Sequence, residues 1–293
     1  MRTRFLIALS ALPLLIAATV EPNTDRVLFR QGFLEVVSPD GASAEQCRLA
    51  AKKAIAAWRF DMNLMKWGHP GEMERSLTLR LISDDRMRRE HPGGRAYAEP
   101  SGDRFNVRMG LLDDPNLDLT LAHELGHIQA FRALGSQAKK PPTYFLEGHG
   151  LMMNQFYADF LGIDRGEGGH RQAKAMISIT ADEAEAILSD DRYHRVGPRE
   201  ERIAKEYRME CMGLYFVEYL RVRKGIPDAV PKMGRVFEWE GRGQGYEQAF
   251  ARAYGLSLDE AFSEIVAFFR QTAAHPSERL KGTRFGDYLA PAR

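Results

Sequence analysis

The segment that most constrains the fold is residues 120–130. It reads Thr-Leu-Ala-His-Glu-Leu-Gly-His-Ile-Gln-Ala, so His123 and His127 stand four positions apart. Residues with this spacing lie on one face of an α-helix, where two imidazoles can point at one metal ion. The flanks favour a helix as well, because the Asp-Pro pair at 114–115 is a good helix start and Gly135 is a good stop. The segment therefore predicts a helix that presents two metal ligands.

Glu124 adds chemistry to this pattern. It follows His123 directly, so it can reach a water molecule at the metal without being a ligand itself. Zinc lowers the pKa of such a water towards neutrality, and a carboxylate can then take the proton. The His-Glu-x-x-His pattern arises by chance in about 1% of chains of this length. Because a structural metal site needs no general base, Glu124 favours a catalytic zinc site.

A catalytic zinc ion needs a third protein ligand and one open position. Residues 142–150 read Pro-Thr-Tyr-Phe-Leu-Glu-Gly-His-Gly. Together with His-Glu-x-x-His, this segment resembles the gluzincins, the thermolysin-like superfamily, and more narrowly the bacterial peptidases of the MA-like group. The resemblance implies that Glu147 is the third ligand. His149 stays open as an alternative ligand, as a donor to the oxyanion, or as a residue that lines the cleft.

The resemblance extends over roughly residues 28–270, although its later matches are patterns of helix and glycine. Gluzincins commonly stabilise the oxyanion with a tyrosine or a histidine, and the chain offers Tyr144, His149, Tyr207 and Tyr215. We prefer Tyr207, because the helix that follows the catalytic pair in this group carries a tyrosine near its start. The resemblance therefore implies two catalytic residues, Glu124 as general base and Tyr207 as oxyanion donor.

The chain departs from neighbouring branches at identifiable positions. Ala130 and Ala133 stand where the longer metzincin motif needs glycine and histidine, and no Gly-x-Met-Glu-Asn stretch precedes the motif as in aminopeptidase gluzincins. Thermolysin-like enzymes place an aspartate four residues after the ligand glutamate, where this chain has Leu151. The carboxylate or amide that orients a histidine ligand is therefore open between Asn154 and Asp159.

The fold class follows from how the periodicity changes along the chain. Alternating, β-rich runs predict strands at 27–37, 77–82 and 103–109, with a helix at 43–60 between the first two. From Pro115 onward the pattern is helical, apart from a glycine-rich stretch at 164–172 that we interpret as a loop. Further helices are predicted at about 143, 181–189, 200–224, 228–238, 244–254 and 258–272.

This order predicts an α+β protein of zincin-like architecture. A small amino-terminal mixed sheet with helices precedes the active-site helix, and an all-helical carboxy-terminal lobe follows it. The predicted divisions are a signal peptide at 1–20, an αβ lobe at 21–136 that includes the His-Glu-x-x-His helix, and a helical lobe at 137–293. In zinc peptidases of this kind an edge strand beside the metal helix pairs with the extended substrate. We expect residues 103–109 to be that strand, the alternative being a covered strand.

The amino terminus predicts export. Arg2 and Arg4 precede an apolar run at 5–20, which is typical of a secretory signal peptide and short for a membrane span. We therefore expect a periplasmic or secreted protein, the alternative being one anchored by an uncleaved amino-terminal segment. Cys47 and Cys211 are interpreted as buried small residues, although an oxidising compartment would allow them to pair.

These features predict a zinc metallopeptidase that hydrolyses peptide bonds, with Zn2+ as its cofactor and a peptide or protein as its substrate. The alternatives are a non-catalytic, metal-containing module that binds peptide or cell wall, and a zinc hydrolase of a non-peptide amide. The formal net charge is +1, from 41 basic and 40 acidic residues, which gives no electrostatic argument for a nucleic-acid partner. No span is expected in the mature chain, and the oligomeric state is open.

Overall fold

The computed structural model of the protein describes residues 27–91, 94–135 and 141–289. The predicted signal peptide at 1–20 lies outside these residues. Five strands form one sheet. They are β1 (Val27–Gln31), β2 (Leu34–Val37), β3 (Leu77–Ile82), β4 (Ala96–Ala98) and β5 (Arg104–Arg108).

The sheet is mixed, with the strand order β1-β2-β3-β5-β4. Strands β2, β3 and β5 run parallel, while β1 and β4 lie antiparallel at the two edges. The predicted strand at 27–37 is a hairpin, because Gly32 turns the chain with a φ of 57°, a value that favours glycine. In β3 the alternation holds, and Leu77, Leu79 and Leu81 are buried.

The strand at 103–109 lies inside the sheet and is not an edge. Phe105 pairs with Leu79 of β3 on one side and with Ala98 of β4 on the other. The prediction that this run pairs with a substrate is therefore wrong. The reason is β4, a strand of three residues that covers β5 and is too short to show a periodic pattern.

Helices make up most of the remaining chain. They are α1 (Ala44–Met65), α2 (Pro70–Met73), α3 (Asp84–Glu90), α4 (Leu117–Leu134), α5 (Thr143–Leu161), α6 (Gly166–Ser178), α7 (Ala181–Ser189), α8 (Arg199–Val222), α9 (Ala229–Gly241), α10 (Tyr246–Tyr254) and α11 (Leu258–Gln271). Short 3₁₀ turns stand at Met109–Leu111, Tyr193–Arg195, Pro276–Leu280 and Gly286–Tyr288. The structure is thus a mixed α+β protein with a small mixed sheet, as predicted.

Helix α6 occupies the stretch that we interpreted as a loop, so that interpretation is wrong. Its glycines weaken the helix locally, but Ala173 and Met176 are fully buried on one face. At Gly169 a Cβ atom would overlap the ring of Tyr288. Tertiary packing of the carboxy-terminal segment on α6 therefore outweighs the low helix propensity of this stretch.

One hydrophobic cluster runs through the described residues, from Leu34 in β2 to Phe285 near the carboxy terminus. Cys47 and Cys211 lie in this cluster as buried free thiols, which confirms our interpretation of both. None of the helices in the described part of the chain combines the length and apolar character that a membrane span needs. The predicted boundary between lobes at 136 and 137 stays a prediction.

Candidate metal centre

Helix α4 carries the His-Glu-x-x-His motif through the middle of the fold. It contacts α1, α5 and α9 as well as β4 and β5, and Leu121, Leu125 and Ile128 are buried along it. Polar bonds fix its position further. The buried Gln129 accepts a hydrogen bond from Trp67 Nε1 at 2.5 Å and donates one to the Trp58 carbonyl at 3.2 Å. The helix is therefore held from several sides, which pre-organises the motif.

Three predicted ligands converge between α4 and α5. The Nε2 atoms of His123 and His127 are 3.0 Å apart. Glu147 Oε2 lies 3.2 Å from His127 Nε2 and 3.8 Å from His123 Nε2. Tetrahedral zinc, with bonds of about 2.0–2.1 Å, holds its ligand atoms about 3.3 Å apart. Two imidazoles and a carboxylate at this spacing can therefore hold a metal ion.

Gly150 leaves the space that these ligands need. A Cβ atom at this position would lie 2.8 Å from Nε2 of both His123 and His127. Real Cβ atoms are essentially never found so close to a neighbouring heavy atom. Any side chain at 150 would therefore enter the space between the two imidazoles.

A second glycine contact brings α8 to the site. A Cβ atom on Gly148 would lie 2.6 Å from Cα of Gly213 in α8. A Cβ atom on Gly213 would in turn overlap the carbonyl oxygen of Tyr144. Because both positions lack side chains, α5 and α8 pack backbone to backbone. The Glu-Gly-His-Gly segment at 147–150 thus supplies one ligand and two close approaches.

The ligands are electrostatically coupled to one another. Burial works against charge on Glu147, but the neighbouring His127 outweighs it, and the pKa of Glu147 falls to about 2. Burial likewise opposes charge on His127, but the Glu147 carboxylate raises the pKa of His127 to about 9. Burial and the charge of His127 lower the pKa of His123 to about 3. These pKa shifts favour an ion pair between His127 and Glu147 beside a neutral His123.

Glu124 stands beside this group and faces β4. Burial raises the pKa of Glu124 to about 7, partly offset by His127 and by a hydrogen bond from the Ala98 amide. A carboxyl group that titrates near neutrality is suited to accept and return a proton. The position and titration of Glu124 therefore match those of a general base.

The outer edge of β4 is open where it meets the site. Glu99 N donates to the Arg104 carbonyl, and Arg108 N donates to the Arg95 carbonyl. The backbone hydrogen bonds to β5 therefore come from the odd-numbered residues. By alternation, the backbone groups of Ala96 and Ala98 face away from β5. The Ala98 amide turns towards Glu124.

A cavity of about 640 Å³ opens beside His123. Tyr207 and Glu210, both on α8, line it together with Asn154 of α5. Burial, with the charges of Glu147 and Glu206, raises the pKa of Glu210 to about 8. This cavity is large enough for part of a peptide, and residues of α4, α5 and α8 line it.

The four candidate oxyanion donors occupy different places. Tyr207 shares the cavity with His123. Tyr144 is buried, with its hydroxyl 3.0 Å from that of Tyr246, and the buried Tyr215 donates to the Arg279 carbonyl at 3.1 Å. His149 is fully buried as well. Of these four, the structure places Tyr207 on the accessible side of the site.

His149 lies apart from the three-ligand group. Its ring packs against Trp67 and Phe237, with centroids 6.3 and 5.3 Å away. A Cβ atom at Gly126 would meet the ring at 3.6 Å. Both ring nitrogens are buried, and the backbone of Gly126 is close enough to act on the pKa of His149. His149 is therefore part of the packing behind the metal helix.

The residue that orients a histidine ligand is not identified by the contacts. Asn154 Nδ2 donates to the Leu119 carbonyl at 3.3 Å, and Asp159 pairs with Arg284 and Arg165. The buried Nδ1 atom of His127 has no partner within the described residues. Neither Asn154 nor Asp159 therefore takes the role that the aspartate of thermolysin-like enzymes would have.

Two residues near the site were not predicted from the sequence. Glu210 follows Tyr207 by three residues, so the helical spacing that puts both on one face was a usable signal. His194 lies close enough to Glu147 to lower the pKa of that carboxyl. It belongs to the 3₁₀ turn before α8, where no periodic pattern marks it.

Comparison of the chain with protein-family models, with curated proteins and with solved structures found no match. The gluzincin resemblance of the motifs therefore stays a prediction. The chemistry of the site rests on His123, His127 and Glu147, on Glu124 beside them, and on the cavity that His123 lines.

Proposed function

We propose that this protein is a zinc-dependent peptidase of the gluzincin type. The observation that carries the proposal is the convergence of His123, His127 and Glu147, whose ligand atoms all lie within 4.8 Å of one another. Glu124 supports a catalytic role, since its carboxyl group lies beside the ligands and a purely structural site would not need it. An accessible cavity next to His123 supports access of a substrate.

Each residue of the proposed site has its own role in the reaction. A bound zinc ion supplies Lewis acidity, which polarises a carbonyl oxygen and lowers the pKa of water. Glu124 accepts the proton of the attacking water and returns it to the leaving amine. Tyr207 donates a hydrogen bond to the oxygen that develops negative charge. Burial raises the pKa of Glu124, whereas a nearby cation lowers it and favours the ionised form that accepts the proton.

The extended substrate lies along β4 instead of β5. Because the Ala98 amide already donates to Glu124, a substrate strand can pair with the outward-facing backbone groups of Ala96 and with the carbonyl of Ala98. Such pairing places the scissile carbonyl next to Glu124, because the Ala98 amide is already turned towards that carboxylate. Backbone pairing is indifferent to side chains, so the edge itself confers little selectivity.

The proposed place of action is the periplasm or the exterior of the cell. The support is the composition of residues 1–20, with two arginines followed by an apolar run. Amino-terminal sequencing of native protein tests this, and a mature chain that starts near residues 18–21 is expected. An intact Met1 on membrane-bound protein would favour the anchored alternative, and an intact Met1 in the cytosol would contradict both.

Cleavage of an unbiased peptide library, read by mass spectrometry, tests the activity. We expect the zinc-loaded protein to cleave peptide bonds, and Glu124→Gln to keep its metal but lose about a hundredfold or more in rate. The matched control is Glu247→Gln, since Glu247 is an exposed glutamate in the first turn of α10. The control should cleave like the wild type.

Three results would contradict the peptidase. A Glu124→Gln variant that cleaves at the wild-type rate would remove the mechanism. Peptides that bind but are never cleaved would favour the non-catalytic module. Turnover of non-peptide amides without any peptide cleavage would favour the other hydrolase.

A further inference from the structure

A second cavity, of about 650 Å³, lies next to the metal site. One wall is formed by β4 and by the rings of His91 and Tyr97, which stack with centroids 3.9 Å apart. The other wall is formed by the 3₁₀ turn before α8 and by the first turns of α8. We call this space the arginine groove, because Arg195, Arg199 and Arg202 line it.

The arginine groove lies beside the proposed active site. Ala96 lines it and also belongs to the open edge of β4. His194, in the opposite wall, is close enough to Glu147 to act on its pKa. Glu206 of the groove and Glu210 of the first cavity are one turn apart on α8. A peptide that follows β4 past Glu124 therefore enters the groove.

The guanidinium groups of the groove are free to bind an anion. Within the described residues the guanidinium groups of Arg199 and Arg202 have no hydrogen-bond or ion-pair partner. The Arg195 side chain contacts the neighbouring His194 at 3.4 Å. Elsewhere the arginines are commonly paired, as Arg221 is with Glu218 at 2.7 Å. The groove thus holds positive charge that no carboxylate of its own neutralises completely.

The acidic side chains of the groove do not cancel this charge. Glu90 is occupied, because Arg86 Nε donates to it at 2.6 Å. Glu206 is the other carboxylate that lines the groove. Three guanidinium groups against one available carboxylate leave a positive balance, which attracts carboxylates from solution.

Stability does not explain these arginines. Arg199 is the first residue of α8, where the positive end of the helix dipole disfavours a cation. Two apolar side chains next to them, Val196 and Ile203, are 62% and 55% exposed, and exposed apolar surface does not stabilise the fold. Exposed apolar side chains beside unpaired arginines are typical of a surface that binds a protein or peptide.

We infer that the arginine groove binds an aspartate or glutamate side chain of a peptide that extends along β4. The planar guanidinium groups of Arg199 and Arg202 match a carboxylate in two-point hydrogen bonds. Val196 and Ile203 contact an apolar residue next to it. If the groove binds acidic side chains, the protein is selective for acidic peptides. The part of this inference that concerns cleavage rests on the proposed function.

The test compares three peptides that differ at one position as Asp, Ala or Lys, scanned along each side of the cleavage site. With zinc-loaded wild-type protein, kcat/KM should be roughly 10- to 100-fold higher for Asp than for Lys at one or two positions on one side. Increasing ionic strength should reduce this ratio, because the guanidinium groups are exposed.

The variant that tests the groove is the double substitution Arg199→Glu and Arg202→Glu. We expect it to invert the preference, so that Lys peptides are cleaved faster than Asp peptides. It should fold, because glutamate near a helix start is favoured by the dipole. The control is Arg48→Glu with Arg59→Glu, two exposed arginines of α1 without partners in the described residues, and it should keep the wild-type preference.

A binding experiment separates the groove from the peptidase. Glu124→Gln protein is titrated with the labelled Asp and Lys peptides, and fluorescence anisotropy is measured. Selective binding of Asp peptides that the groove substitutions abolish would support the inference even if no peptide were cleaved. Equal binding of the two peptides would overturn it. A single-stranded oligonucleotide that displaces both peptides equally, with no preference for the position of the Asp residue, would overturn it as well.

Discussion

Gly148 of α5 and Gly213 of α8 touch through their backbones, and a Cβ atom on Gly148 would lie 2.6 Å from Cα of Gly213. This contact determines how close α8 comes to α5, the helix that carries Glu147. Tyr207 and Glu210 stand one to two turns before Gly213 on α8, so the same contact carries both of them into the cavity beside His123. The packing of α8 on α5 at these two glycines therefore decides which residues of α8 line the cavity.

Gly213→Ala should destabilise the protein and open the cleft. Its Cβ atom would overlap the Tyr144 carbonyl, and backbone atoms of a helix cannot move aside as a side chain can. We expect the free energy of unfolding in urea to fall by about 1–3 kcal/mol, the usual cost of overpacking. Gly168→Ala is the control, since nothing lies within 4 Å of its Cβ position in α6, and alanine there should be neutral or stabilising. Equal stability of the two variants would contradict the close contact.

Gly150→Ala should weaken metal binding without removing a ligand. The added methyl group would lie 2.8 Å from Nε2 of His123 and of His127, so one imidazole must turn away. We expect the zinc affinity to fall by a factor of roughly 10 to 100, in the range seen when a supporting residue is lost. Competition with a chelating dye measures it, with Gly168→Ala as the control. Unchanged affinity would mean that the metal is held elsewhere.

Glu147→Ala tests the third ligand directly. The purified wild type should hold about one zinc ion per chain, and the variant should lose most of it on dialysis, because two imidazoles alone bind weakly. Glu247→Gln should retain the metal, since its carboxylate is exposed and far along the chain in α10. Elemental analysis of the dialysed proteins measures this. Full retention of zinc by Glu147→Ala would exclude Glu147 as a ligand.

The elements near the site differ in how far the sequence predicts them. Both ends of α4 and the start of α5 lie close to the predicted positions, because prolines, the glycine stop and helical spacing agree there, whereas the end of α5 was not predicted. Strand β4 was not predicted, since three residues between turns show no period. The position of α8 over the site depends on a long-range contact between Gly148 and Gly213, which no local pattern encodes.

The residues of the site likewise differ in how far the sequence predicts them. His123, Glu124 and His127 share one helix, so their spacing alone predicts a common face. Glu147 needed a resemblance to a family, because it comes from a second helix. Glu210 and the arginines of the groove come from α8 and the turn before it, and only the tertiary structure brings them to the cleft.

Ala96→Pro tests the edge strand without touching the metal. The Ala96 amide faces away from β5, so proline there removes a donor from the open edge and leaves the ladder with β5 intact. We expect kcat/KM for peptides to fall by roughly tenfold or more, while zinc content and thermal stability stay close to the wild type. Tyr97→Pro is the comparison, because it breaks the pair with Asn106 and should destabilise the sheet. Undiminished cleavage by Ala96→Pro would exclude pairing at this position.

Glu210→Gln should change how the stability of the metal-free protein depends on pH. Burial, with the charges of Glu147 and Glu206, raises the pKa of Glu210 from an ordinary 4.5 to about 8 in the folded state. Between these two values the folded protein keeps a proton that the unfolded chain has lost. The wild type therefore loses stability as pH rises through this window, whereas glutamine does not titrate.

The measurement is urea unfolding of the EDTA-treated proteins at pH 5, 6, 7 and 8. The stability of the variant relative to the wild type should rise with pH throughout this range, with a difference of about 1–3 kcal/mol at pH 8, reduced from the full linkage value because Glu210 is partly exposed. Glu247→Gln should show no such trend, since its carboxylate is exposed. Zinc should shrink the difference, because a nearby cation favours the ionised carboxylate. A difference that stays constant from pH 5 to 8 would show that Glu210 titrates as an ordinary surface glutamate.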